Sequence, residues 1–147
     1  MIERVQDELK TSLRAGDRTR TNALRLLLAA LQKAAKDARS GAFSDEDAQA
    51  VLRRERKQRV EAAEAYRAAG HEDRALAEEA DVPVIDEFLP APLGEDELGR
   101  LVDAAIAETG AGSMRDMGRV MALVRERSGG RADGKATSEL VRARLGG

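Results

Sequence analysis

Apolar residues recur along this chain at intervals of three and four. Nowhere does an apolar–polar alternation of period two run long enough to make a strand. Ile2, Val5, Leu9 and Leu13 mark a first helix ending near Ala15-Gly16, and Asp17 is placed to cap a second. Leu24, Leu27, Leu28, Leu31, Ala34, Ala35 and Ala38 run as a wide stripe through that second helix, with Ser40-Gly41 as its stop. Ser44-Asp45-Glu46-Asp47 puts a hydroxyl cap and three carboxylates at the positive start of a third helix, which runs to about Ala69 before Gly70. Aromatic residues are only 2% of the chain, so a core has to come from Leu, Val, Ile, Ala and Met, which suits packed helices.

Three prolines divide the pattern. The segment 72–89 is helical in composition, but Pro83 lacks a backbone donor and crowds the preceding turn, which predicts a kink or break. Leu89-Pro90-Ala91-Pro92-Leu93-Gly94 cannot sit inside a helix and reads as a linker. Beyond it, Leu98, Leu101, Val102, Ala105 and Ile106 mark one helix face, and Gly110-Ala111-Gly112 a turn. Met117, Val120, Met121 and Val124 mark a second face, ended by Ser128-Gly129-Gly130. Leu140, Val141 and Leu145 mark a last helix that Asp133 can cap. The expected fold is all-α: an N-terminal bundle of about four helices over 1–89, a proline linker over 90–94, and a smaller three-helix domain over 95–147.

Several functions are excluded or disfavoured by residue type. With no cysteine there is no disulfide, thiolate metal site or cysteine nucleophile. The one histidine, His71, lies at a helix start with no metal-ligand spacing around it, so no metal site is expected. No phosphate loop or dinucleotide fingerprint occurs, so no cofactor is expected, and no set of residues reads as a catalytic site. No apolar run approaches the roughly 20 residues needed to cross a bilayer, and the charged start, with Glu3, Arg4, Asp7, Glu8 and Lys10, is unlike a secretory leader. A cytoplasmic protein with no membrane partner is expected.

Charge carries more information locally than globally, because the whole chain is only −2. Arg53, Arg54, Arg56, Lys57 and Arg59 spread around the third helix, and its inward stripe, from Leu52 to Ala63 and Tyr66, passes close to Glu55, Arg56 and Arg59. The favoured expectation is an exposed mid-helix with i,i+4 ion pairs such as Lys57 with Glu61. The competing one is a polar network facing the segment 71–87, which holds seven acids and one arginine. From Ser113 onward, eight bases face four acids. Arg131 and Lys135 flank Asp133-Gly134 at a helix start, where unpaired N–H groups attract phosphate.

Particular blocks resemble the GatB/YqeY family. They are Arg56-Lys57-Gln58-Arg59, Tyr66 with Ala69-Gly70, Glu72-Asp73, Glu78, Phe88-Leu89-Pro90 and Leu93, then Met117-Gly118-Arg119-Val120-Met121 and Gly130-Arg131-Ala132-Asp133-Gly134-Lys135. His71, Arg74 and Pro83 depart from its pattern. The resemblance covers nearly the whole chain and implies a helical bundle joined to a smaller helical domain. In the family that domain is also the C-terminal tail of the B subunit of the glutamine-dependent tRNA amidotransferase, where it engages tRNA. The resemblance therefore implies a standalone accessory module that binds tRNA or another structured RNA through Arg119, Arg127, Arg131 and Lys135. The cluster Arg56, Lys57, Gln58 and Arg59 is a family motif without an assigned role. The family label, carbon–nitrogen ligase activity with glutamine as amido donor, belongs to an ATP-using body this chain lacks, so no catalysis by the chain alone is expected. The alternatives are a protein-interaction adaptor that binds no RNA, or a non-catalytic component of a carbon–nitrogen ligase system.

Overall fold

A computed structural model describes residues 1–39 and 41–146. Among them are seven α-helices, one short 3₁₀ turn and no strand, which bears out the all-α reading. The chain divides into two compact units, Met1–Pro90 and Ala91–Gly147.

The first unit holds α1 (Ile2–Ala15), α2 (Arg18–Asp37), α3 (Asp45–Ala68) and α4 (Glu72–Asp86). Its caps follow the chemistry of the sequence. Asp17 accepts the Arg20 N–H, and Ser44 and Asp47 form a reciprocal capping box at the start of α3. Val5, Leu24, Leu27, Leu31, Ala48, Val51, Leu52, Ile85 and Phe88 make the core. The close approach of α1 to α2 is fixed by a buried hydroxyl pair, Ser12 to Thr21 at 2.8 Å. Ser40, expected to stop α2, lies outside the described residues; α2 ends at Asp37.

Pro83 does not interrupt α4, which runs as one helix through Asp86. The ring lies on the exposed side, within the last turn and a half. The residues just beyond it, Ile85 and Phe88, are buried and draw the chain onward in helical register. Core burial outweighs the single backbone bond that proline removes.

The second unit holds α5 (Glu95–Thr109), a 3₁₀ turn (Met114–Asp116) capped by Ser113, α6 (Met117–Ser128) and α7 (Gly134–Leu145). Leu98, Val102, Ala105, Val120, Val124 and Val141 form its own core. Residues 91–94, read from sequence as linker, belong to this unit. The Leu93 N–H donates to the Arg131 carbonyl at 3.1 Å, and Arg131 Nε donates to the Ala91 carbonyl at 2.8 Å.

The two faces of α2 offer a matched test. Leu31 is fully buried and Leu26 is 52% exposed. Leu31→Ala is expected to cost about 2–5 kcal/mol, and Leu26→Ala less than about 0.5 kcal/mol, read from urea denaturation midpoints. Equal losses would contradict the orientation of α2.

Candidate nucleic-acid interface

The family-motif cluster of α3 separates into different surroundings. Arg56 donates through Nε to Asp86 of α4 at 2.7 Å. Arg59 lies among Glu55, Glu78 and Asp81 with nitrogen–oxygen distances of 3.4–3.8 Å. Lys57 and Gln58 are exposed, and Lys57 reaches Glu61 at 3.9 Å. In the last turn of α3, Arg67 binds both Glu72 and Glu79 of α4. Arg56, Arg59 and Arg67 thus meet α4 acids in antiparallel order.

This corrects the favoured sequence expectation for Arg59. Its side chain is only 18% exposed, and its Nε is buried without a hydrogen bond of good geometry. The i,i+4 rule sees only partners on the same helix, whereas the acids that draw Arg59 inward are mostly on α4. Gln58, of the same family motif, is exposed and stands outside this network. Three carboxylates share one guanidinium here. Burial, with repulsion from Glu78, holds the Asp81 carboxyl above its usual range, and Arg59 opposes the shift.

In the second unit the sequence-predicted cations are dispersed. Arg119 sits in the first turn of α6 and pairs with Asp116 at 2.6 Å. The Gly112 N–H and Arg119 together hold the Asp116 carboxyl below its usual range. Lys135 is exposed at the start of α7, where the Asp133 carboxylate already accepts the Ala136 N–H at 2.8 Å. That cap takes one of the first-turn N–H groups where the sequence suggests a phosphate beside Arg131 and Lys135.

Arg127 and Arg131 do meet. They line one open groove of about 400 Å³ together with Arg100, Glu97, Leu93, Leu101, Ala104 and Ser128. Residues 97, 100, 101 and 104 are one face of α5 at i, i+3, i+4 and i+7. The opposite wall is the end of α6 and the turn after it. Gly129 and Gly130 have φ of 60° and 80°, the left-handed region that reverses the chain tightly and returns Arg131 toward Leu93. Arg127 also holds Glu108, an exposed pair. Arg100 has no ion pair with any described residue.

Arg100 is the groove residue that sequence reasoning missed. Its signal was faint: a lone base on a helix that otherwise carries Glu95, Asp96, Glu97, Asp103 and Glu108. The groove thus brings together three arginines, the Glu97 carboxylate and the apolar Leu93, Leu101 and Ala104, and arginines so gathered can contact phosphate oxygens. Among the described residues no group of three or more His, Asp or Glu could hold a metal ion, and no helix is long and apolar enough to cross a membrane.

A family model described as Yqey-like protein matches residues 2–145. A search of curated proteins returns no match.

The Arg59 cluster carries its own prediction. Arg59→Met leaves three carboxylates facing one another, and at pH 7 it is expected to cost roughly 3 kcal/mol, the lower end for breaking a buried ion pair. Asp81→Asn leaves Glu55 and Glu78 to balance Arg59 and is expected to change stability by less than about 1 kcal/mol. The folded carboxyl of Asp81 lies above its unfolded value of 3.8, so protonation favours the fold. The stability Asp81 lends is greatest below that value and is lost as pH rises through the raised one. The deficit of Arg59→Met should therefore shrink on acidification from pH 7 toward 4. A pH-independent deficit would contradict the arrangement.

Proposed function

From the premise that the chain belongs to the YqeY-like family, we propose that it is an RNA-binding accessory protein whose C-terminal unit seats the phosphate backbone of tRNA or a similarly structured RNA. The observation that carries this reading is the convergence of Arg100, Arg127 and Arg131 on one groove, with Arg100 unpaired among the described residues. Guanidinium groups make two-pronged contacts to phosphate and keep their charge at any physiological pH. Recognition rests on RNA shape and backbone, because the unit carries no aromatic side chain on which a base could stack.

The likeness of this unit to the tRNA-engaging tail of the amidotransferase B subunit supports tRNA as the RNA in question. It also supports an accessory role beside a carbon–nitrogen ligase rather than catalysis by this chain. The dispersed placement of Arg119 and Lys135 makes them peripheral contacts at most, and the reading centres on the groove.

Two variants test it in the full-length protein. Replacing Arg100, Arg127 and Arg131 by Gln is expected to weaken binding of a tRNA transcript across sequences. It should also flatten the dependence of log affinity on log salt by roughly one unit for each phosphate left unneutralised. Glu108→Gln releases Arg127 from its carboxylate and is expected to strengthen binding. Unchanged affinity and salt slope in the folded triple variant would remove the groove. A wild-type protein that captures a protein partner and no RNA would favour the adaptor reading instead.

A further inference from the structure

Most arginines of α3 and several of the second unit are matched by carboxylates, but the outer face of α2 is not. Between its capping Asp17 and its last residue Asp37 the helix contains no acid and five bases. Arg20 turns inward to Glu8 and Glu87. The other four, Arg18, Arg25, Lys33 and Lys36, are exposed. Of these only Lys33 has an ion pair among the described residues, a loose one to Asp37 at 3.7 Å.

At 100° per residue, Arg18, Asn22, Arg25, Ala29, Lys33 and Lys36 fall within about 80° of arc, and at 1.5 Å per residue the row is about 27 Å long. It lies opposite the stripe of Leu24, Leu27 and Leu31 that α2 buries in the core. The face is therefore held straight and outward by packing on its other side.

We propose that this face of α2 is a second RNA-contacting surface, one that tracks the phosphate backbone of a structured RNA. The class of partner rests on the RNA reading above; the surface itself lies on the other unit and is independent of the groove. Four cations spread along about 27 Å of one helix face can lie against the phosphates of an RNA backbone, and binding is driven by counterion release. The face bears no aromatic group or cavity to read a base, so contact is to backbone and independent of sequence. A membrane surface fits it poorly. A helix lying in a bilayer interface needs an apolar face, and that of α2 is consumed by the core, leaving Leu26 as its one large exposed apolar residue.

The experiment compares three full-length proteins on one tRNA transcript between 50 and 200 mM salt. They are wild type, the variant Arg18→Gln/Arg25→Gln/Lys33→Gln/Lys36→Gln, and the groove triple variant, with folding checked by circular dichroism. The α2 variant is expected to lose at least tenfold in affinity, with its salt slope flattened by roughly two to three logarithmic units. Lys33→Arg/Lys36→Arg, which keeps the charge, is expected to bind like wild type. Loss of binding by the groove variant alone would overturn the α2 surface and leave the groove reading standing. Loss by the α2 variant alone would support the α2 surface and overturn the groove. Wild-type protein that ignores the transcript but binds phosphatidylserine vesicles or an acidic protein through α2 would overturn the proposal.

Discussion

The pairing of α3 with α4 is the constraint on which the first unit depends. Within its assigned span α4 buries only Ala75 and Ile85, with Phe88 following just after it. Such a helix has little apolar area with which to hold its place. What it has is carboxylates, and Arg56, Arg59 and Arg67 meet them in order along α3. The outer pairs are exposed and individually weak. Arg59, mostly covered and shared among three acids, is where the register of the two helices is set. That register delivers Ile85 and Phe88 to the core beneath α1 and α2.

This pairing also sorts the cations of the molecule. The α3 arginines that meet acids on α4 serve the fold, and they include two of the four residues in the Arg56-Lys57-Gln58-Arg59 motif. Two surfaces gather cations that acids leave mostly free, the groove of Arg100, Arg127 and Arg131 and the outer face of α2. A net charge of −2 conceals this division, because the acids of α4 are largely spent inside their own unit.

Much of the fold was legible because helices announce themselves locally. Ser44, Asp17 and Asp133 are caps whose chemistry acts within three residues, and each caps the helix it precedes. The misjudged points depend on partners distant in sequence. Pro83 reads as a breaker until Ile85 and Phe88 are seen to be buried. Arg59 reads as exposed until Glu78 and Asp81 are seen across from it. Arg100 becomes meaningful only when the Gly129-Gly130 turn brings Arg131 to face α5. The phosphate site expected at the start of α7 rests on a helix terminus at which the Asp133 carboxylate accepts the Ala136 N–H.

Arginine footprinting with phenylglyoxal, read residue by residue by mass spectrometry with and without a tRNA transcript, tests this division of labour most directly. The account predicts RNA-dependent protection at Arg18, Arg25, Arg100, Arg127 and Arg131. It also predicts slow modification of Arg56, Arg59 and Arg67 that RNA does not change. Protection by RNA at Arg56, Arg59 and Arg67, with the groove and α2 arginines equally reactive in both conditions, would contradict it.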